Sequence, residues 1–386
     1  MKTMVWKNLV GQERIKQLLA SAVSGETLGH AYLLCGDVGT GTFQAALELS
    51  MALLCADDKA VPCYQCENCR KVLRSAHPDF HVIMPVTLER EHKDSDGKLN
   101  QEGWEFLSSL VKSRIEQPYR VPSQAGIPSI PVEWVKEVNH AITRGSVANG
   151  KNIAIIDGID VMNKESANAM LTTLEEPPND TLMLLMTHRP QAVLPTIASR
   201  CQMLRFGLLP AADIRHALVS KCAGAADSLI SEAVDYSLGS LGRAIDLCEN
   251  PIGELAGQSR SLFEECRAED WLAIASHVDE LSRQGSEDRH EKLLMHLVYL
   301  FRREMLRGVL PDGSHDADSL PASGNSPEAG GREAISVDRP EYVSRLFKAC
   351  QHAIDGIRAH GNISIVLVNF VTTCMEIIRE QKQQVS

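Results

Sequence analysis

The sequence predicts an α/β protein, a parallel sheet core followed by helical domains, and three observations carry that expectation. An apolar run, Ala31–Cys35, passes through a glycine loop, Gly36–Phe43, into a helical pattern over Phe43–Leu54. Further apolar runs at 152–156 and 182–187 alternate with helical patterns, as parallel strands joined by crossover helices must. Beyond Leu209-Pro210 the periodicity is helical alone. A chain of 386 residues is too long for one ordinary core, so a core over 1–208 is expected to be followed by a small helical domain over 209–250 and a larger one over 251–386.

In order, residues 6–28 read as a turn and an amphipathic helix, with Ile15, Leu18, Leu19 and Val23 on the 3.6 period. The strand, glycine loop and helix of 31–54 come next. A second strand is expected over Asp79–Val86, and then the pattern loosens from Glu89 to Gly126, with one helical patch near Trp104–Ile115. That stretch reads as a surface insertion. Val135, Val138 and Ile142 mark a helix over Val132–Ile142, and Asn152–Asp157 is an apolar strand ending in an acid. The helix Asn163–Glu176 stops at Pro177-Pro178, where the missing N–H and the ring end it. Leu182–Thr187 is a buried strand and Gln202–Phe206 a short one. Helices are expected over Ala211–Cys222, Ser228–Tyr236, Gly242–Cys248, Glu254–Gly308 and Glu341–Gln384, with a Gly-, Ser- and Pro-rich linker over 308–340.

The glycine loop has the frame of a phosphate site and lacks its chemistry. Gly36 and Gly41 fall on the two glycines of G-x-x-x-x-G-K-[ST], with Gly39 between them. Thr42 stands where a lysine would hold the β/γ-phosphates, and Phe43 where a hydroxyl would bind Mg²⁺. Asp157, at the end of its strand, matches the acid that holds the magnesium hydration shell, but Gly158 replaces the glutamate that would activate water. The two defects agree, so hydrolysis by this chain alone is not expected.

Cys63, Cys66 and Cys69 lie at C-x2-C spacings, with Cys55 closing the preceding helix. Four thiolates over so short a span suit one tetrahedral, structural Zn²⁺. His77 and His81 lie nearby and read as ordinary surface or strand-face histidines. The eleven cysteines, without an apolar signal region at Met1–Asn8, point to reduced thiols and a cytoplasmic protein. The net charge of -11 argues against a stand-alone nucleic-acid binder, and no apolar run is long enough to span a bilayer.

His30-Ala31-Tyr32-Leu33-Leu34 before the glycine loop, the cysteine module, Leu171-Thr172-Thr173-Leu174-Glu175-Glu176-Pro177-Pro178 and Ser199-Arg200-Cys201 together carry a resemblance. The chain resembles the delta-prime family of bacterial DNA polymerase III clamp-loader subunits, within the AAA+ proteins, clearly over about 8–75 and 130–250. The resemblance implies an AAA+ nucleotide-binding-type core, a helical lid over 209–250 and a helical collar over 251–386 within a five-subunit ring. It implies gamma/tau- and delta-type subunits as partners, the sliding clamp and primed DNA being reached through the assembly. It places Arg200 as an arginine finger in a neighbour's ATP site, and Thr187 and Arg243 at nucleotide-sensing positions. An ion pair of Arg200 with Glu175 or Glu176 of its own chain is the alternative at that residue.

Three other readings meet obstacles. An ATP-hydrolysing motor subunit of the same loader needs a lysine at 42 and a hydroxyl at 43. In a dinucleotide oxidoreductase the third glycine of G-x-G-x-x-G would fall on Gln44. A zinc-braced nucleic-acid binder has only Arg70, Lys71 and Arg74 with Tyr64 around its cysteines.

Overall fold

The computed structural model describes residues 2–25, 27–57, 59–120, 128–147, 150–251, 253–283, 287–307, 339–358 and 361–385. They form two compact units, one of Met1–Ala225 with Gly239–Asp246 and one of Ala226–Leu238 with Leu247–Ser386.

The first unit holds a sheet of five strands, all parallel. In chain order its small strand β1 (Thr3–Met4) pairs in parallel with β3 (Ala60–Val61), apart from the main sheet. The main sheet contains β2 (Ala31–Cys35), β4 (Phe80–Ile83), β5 (Asn152–Ile156), β6 (Thr181–Thr187) and β7 (Gln202–Arg205), in the order β4-β5-β6-β2-β7. Strands β2, β5 and β6 are buried along their whole length, which is why they read as unbroken apolar runs. Strand β2 lies between β6 and β7, with Cys35 level with Thr187 and Arg205. The chain leaves β2 for the far edge at β4, steps back through β5 to β6 beside β2, and then crosses to β7 on the other side, so the loop after Cys35 opens at the switch point where such sheets place their ligands.

The helices α1 (Glu13–Ser24), α2 (Thr42–Leu54), α3 (Glu67–Leu73), α4 (Gln101–Glu116), α5 (Val132–Thr143), α6 (Lys164–Glu175), α7 (Pro195–Ala198) and α8 (Ala211–Lys221) belong to this unit. In α2 nearly every side chain is buried, including Glu48 at 0% exposure. Glu48 accepts from the Asn8 N–H at 2.7 Å, Gln44 Nε2 at 3.0 Å and the Tyr64 hydroxyl. Burial raises its pKa, and those donors counter the rise only in part. The loosely patterned stretch from Glu89 carries more order than its sequence suggests. Asn100 caps α4 by accepting from Gly103 N–H at 2.8 Å, and Leu107, Val111 and Ile115 are buried on one face of that helix. Residues 121–126 of that stretch, and 308–338 of the expected linker, lie outside the described residues.

The second unit is helical: α9 (Asp227–Tyr236), α11 (Glu254–Arg267), α12 (Trp271–Arg283), α13 (Glu287–Arg307), α14 (Arg339–Arg358) and α15 (Ile363–Val385), with α10 (Leu241–Glu249) shared between the units. Its core follows the helical period, through Leu293, Leu294, Leu297, Val298 and Phe301 on α13 and Leu367, Phe370, Val371, Cys374 and Ile377 on α15. No helix among the described residues is long and apolar enough to cross a membrane.

His296 of α13 is fully buried in that core, edge-on to Tyr236 at 4.4 Å, and neither ring nitrogen has a hydrogen-bond partner. Burial, with the nearby Arg260 charge, pushes its pKa down to about 4. Because the folded value lies below the unfolded one of about 6.5, stability is complete above pH 6.5 and falls as the pH drops towards 4. The full loss is roughly 3 kcal/mol. His296→Phe should therefore gain on the wild type between pH 6.5 and 4 in urea unfolding; parallel pH profiles would contradict this.

Candidate functional site

The loop Gly36–Gly41 is held from both sides. The Gly36 N–H donates to the Thr187 carbonyl at 3.1 Å, tying the loop to the end of β6. Thr40 Oγ1 donates to the Asp37 carbonyl at 2.7 Å. Gly39 and Gly41 have φ of +83° and +104°, the left-handed region that glycine alone enters cheaply. Against the loop lies the start of α10. The Ser240 hydroxyl donates to Val38 O at 2.8 Å, and the Gly242 N–H donates to Gly39 O at 3.2 Å. A Cβ on Gly39 would lie 2.3 Å from Ser240 Oγ. Thr42 begins α2 half-buried, and Phe43 is wholly buried beside it.

Asp157 meets these residues through Arg114, which sequence reasoning did not single out. The Arg114 guanidinium donates from Nε to Asp157 Oδ2 at 2.9 Å and from Nη1 to the carbonyls of Pro118 and Arg120 at 2.7 and 2.8 Å. Its Cζ lies 4.1 Å from the centroid of the Phe43 ring, a cation–π contact. The Arg114 side chain is 5% exposed and that of Asp157 17%. A hydroxyl and a carboxylate would hold magnesium at such a site; here an aromatic face and a carboxylate hold a guanidinium. The residues present do not fit a magnesium–nucleotide pair.

Tyr119 and Arg120 complete the arrangement. The Tyr119 hydroxyl donates to Asn8 O and accepts from Val10 N–H, each at 2.8 Å, and burial raises its pKa. Arg120 Nη2 pairs with Asp246 Oδ1 at 2.7 Å. The sequence signal for this segment was Arg114 itself. It falls on the apolar stripe Leu107, Val111, Ile115, and a charge on such a stripe requires a buried partner.

The other expected residues divide. Gly36, Gly39, Gly41 and Thr42 lie together on the loop. Thr187 lies beside them, but its hydroxyl donates to Asp160 Oδ1 at 2.7 Å, and Asp160 also accepts from Arg189 Nε at 2.9 Å. The Arg243 backbone N–H donates to Ser240 Oγ at 3.2 Å, next to the loop. Arg200 lies apart, just after α7. Its Nη2 pairs with Glu175 Oε1 at 2.9 Å and its Nη1 donates to Thr196 O at 2.8 Å. With side chains 36% and 50% exposed, that ion pair contributes about 0.2–1 kcal/mol and is easily given up.

The four cysteines converge. The Sγ atoms of Cys55, Cys63, Cys66 and Cys69 lie within 4.8 Å of one another, with Cys55–Cys66 at 3.9 Å and Cys63–Cys69 at 4.0 Å. A tetrahedral ion with Zn–S bonds of about 2.3 Å needs edges of about 3.8 Å. Backbone N–H groups already point at these sulfurs, from Cys66 to Cys63 at 3.3 Å and from Cys69 to Cys66 at 3.4 Å. The donor set fits a metal such as zinc. The converging group does not include His77, whose Nδ1 accepts from Asp79 N–H at 3.1 Å.

A family model described as "DNA polymerase III, delta subunit" matches residues 11–209. The chain is 27% identical over 303 residues to the DNA polymerase III subunit delta' of Bacillus subtilis, covering 78% of this chain and 79% of that protein. It is 29% identical over 188 residues to the subunit delta' of Pseudomonas aeruginosa, covering 48% of this chain and 46% of that one. It is also similar to the DNA polymerase III subunit tau of Escherichia coli, at 28% identity over 55% of this chain and 27% of that one.

Proposed function

Because this chain belongs to the DNA polymerase III delta subunit family, a clamp-loader family, we propose that it is a delta-prime-type loader subunit that helps place the sliding clamp on primed DNA in the cytoplasm. It does not hydrolyse ATP itself. It offers Arg200 to the ATP site of a neighbouring subunit of gamma/tau type. The observation that supports this reading is the pairing of Asp157 with Arg114 over the Phe43 ring, which puts a guanidinium where a catalytic cation would be shared. Tau-type relatives match as well, and Thr42, Phe43 and Gly158 separate this chain from a motor subunit.

Arg200 suits the task because its partner Glu175 is exposed and a guanidinium matches phosphate oxygens as a rigid fork. Residues 209–250 act as the lid and 251–386 as the collar that joins the ring. Cys55, Cys63, Cys66 and Cys69 hold one structural Zn²⁺. When bound, that ion cross-links the end of α2 to the start of α3. Metal analysis of freshly reduced protein should find one zinc per chain, lost in Cys63→Ser/Cys66→Ser; a metal-free wild type would end this assignment.

The functional test is reconstitution with gamma/tau- and delta-type subunits. The chain should co-elute with them in one complex, and DNA- and clamp-stimulated ATP turnover should depend on its presence. Failure to associate, or turnover by the isolated chain, would overturn the reading.

A further inference from the structure

In a working phosphate loop, the hydroxyl after the lysine and the strand-end acid share a magnesium ion whose charge offsets the triphosphate. Both positions are occupied here by groups that have found partners within the chain. Arg114 neutralises Asp157, stacks on Phe43 and is held by the carbonyls of Gln117, Pro118 and Arg120, so a cation shared between Asp157 and position 43 would meet the guanidinium there. Two of the glycines serve the same segment. A Cβ on Gly41 would lie 2.9 Å from Leu9 Cδ1 and 3.3 Å from the Tyr119 ring, and one on Gly242 only 2.1 Å from the Tyr119 carbonyl oxygen. Gly242 also closes onto the loop through its bond to Gly39 O, and Arg120 fastens the segment to Asp246.

We propose that the segment Arg114–Arg120 is the resident occupant of this chain's nucleotide site, its guanidinium standing in for the divalent cation and its Tyr119 turn covering the glycine loop. The site is filled as well as disarmed. Restoring the lysine and hydroxyl alone therefore does not restore nucleotide binding. The chain itself crowds the three loop glycines: a Cβ would lie 2.7 Å from Phe206 Cβ at Gly36, 2.3 Å from Ser240 Oγ at Gly39 and 2.9 Å from Leu9 Cδ1 at Gly41. This deepens the reading of the loop as a retired nucleotide site. It does not depend on Arg200 or on ring assembly, and the two fail separately, one in binding by the isolated chain and the other in the assembled loader.

The test measures Mg²⁺-dependent binding of fluorescently labelled ATP to four forms of the full chain: wild type, Thr42→Lys/Phe43→Thr, Arg114→Ala/Tyr119→Ala, and all four substitutions together. The quadruple variant should bind at least 100-fold more tightly than Thr42→Lys/Phe43→Thr. Equal affinity in those two forms, or no binding by a folded quadruple variant, overturns the proposal. Should the quadruple variant not fold, amide hydrogen exchange of residues 36–43 in Thr42→Lys/Phe43→Thr decides. With millimolar Mg–ATP their exchange should be unchanged although the lysine and hydroxyl are back, and protection there would show that nucleotide enters despite the segment.

Discussion

In a loader reconstituted with Arg200→Ala, ATP turnover at the site this chain faces should fall by roughly 10³-fold or more while the chain itself stays folded. The two halves of that expectation have separate grounds. The finger acts on charge that develops on the transferring phosphate, where a preorganised guanidinium is worth most. Within its own chain the Arg200 side chain makes a half-exposed pair with Glu175 and bonds to Thr196 O and Ser199 Oγ. Losing these should move the melting temperature by no more than about 2–4 °C. Arg200→Lys keeps the charge but not the planar fork, so it should recover little of the loss. Glu175→Ala, which frees the arginine, should keep turnover. Single-turnover hydrolysis in the assembled loader is the measurement, and a normal rate with Arg200→Ala would remove the residue from this role.

The second large effect is on stability. Arg114→Ala should cost about 3–5 kcal/mol in urea unfolding, because it strands the mostly buried Asp157 carboxylate. The carbonyls of Pro118 and Arg120 lose their donor at the same time, and Phe43 its cation. Replacing both charges, as in Arg114→Met/Asp157→Leu, should recover most of that loss, since an apolar pair of similar volume escapes the desolvation penalty. A double-mutant cycle reads the coupling directly. Loss of less than about 1 kcal/mol in Arg114→Ala would mean that Asp157 is solvated and the pair incidental.

Strands β2, β5 and β6 were legible because burial on both faces makes each an apolar run, and their ends agree with the structure to within a few residues. The cysteine tetrad was legible because its ligands are close in sequence. The alternatives at Arg200 were legible too, and the isolated chain makes the ion pair with Glu175 that one of them described. What escaped was the segment at Arg114–Arg120. Its meaning depends on partners far along the chain: Asp157, Asn8, Val10, Gly242 and Asp246. No local period encodes such contacts. The two-residue strands β1 and β3 escaped for the opposite reason, being too short to show an alternation.

Helix α2 starts at the glycine loop and runs into a metal-type ligand, since Gly41 precedes its first residue and Cys55 follows its last. A helix ends with carbonyls that lack intrahelical donors. In α2 the module supplies a donor, from Asn68 Nδ2 to Leu54 O at 2.8 Å. The cysteine module is thus the brake on fraying of the helix whose other end carries the loop. Its contribution reaches the phosphate-loop scaffold along about 20 Å of hydrogen-bonded backbone.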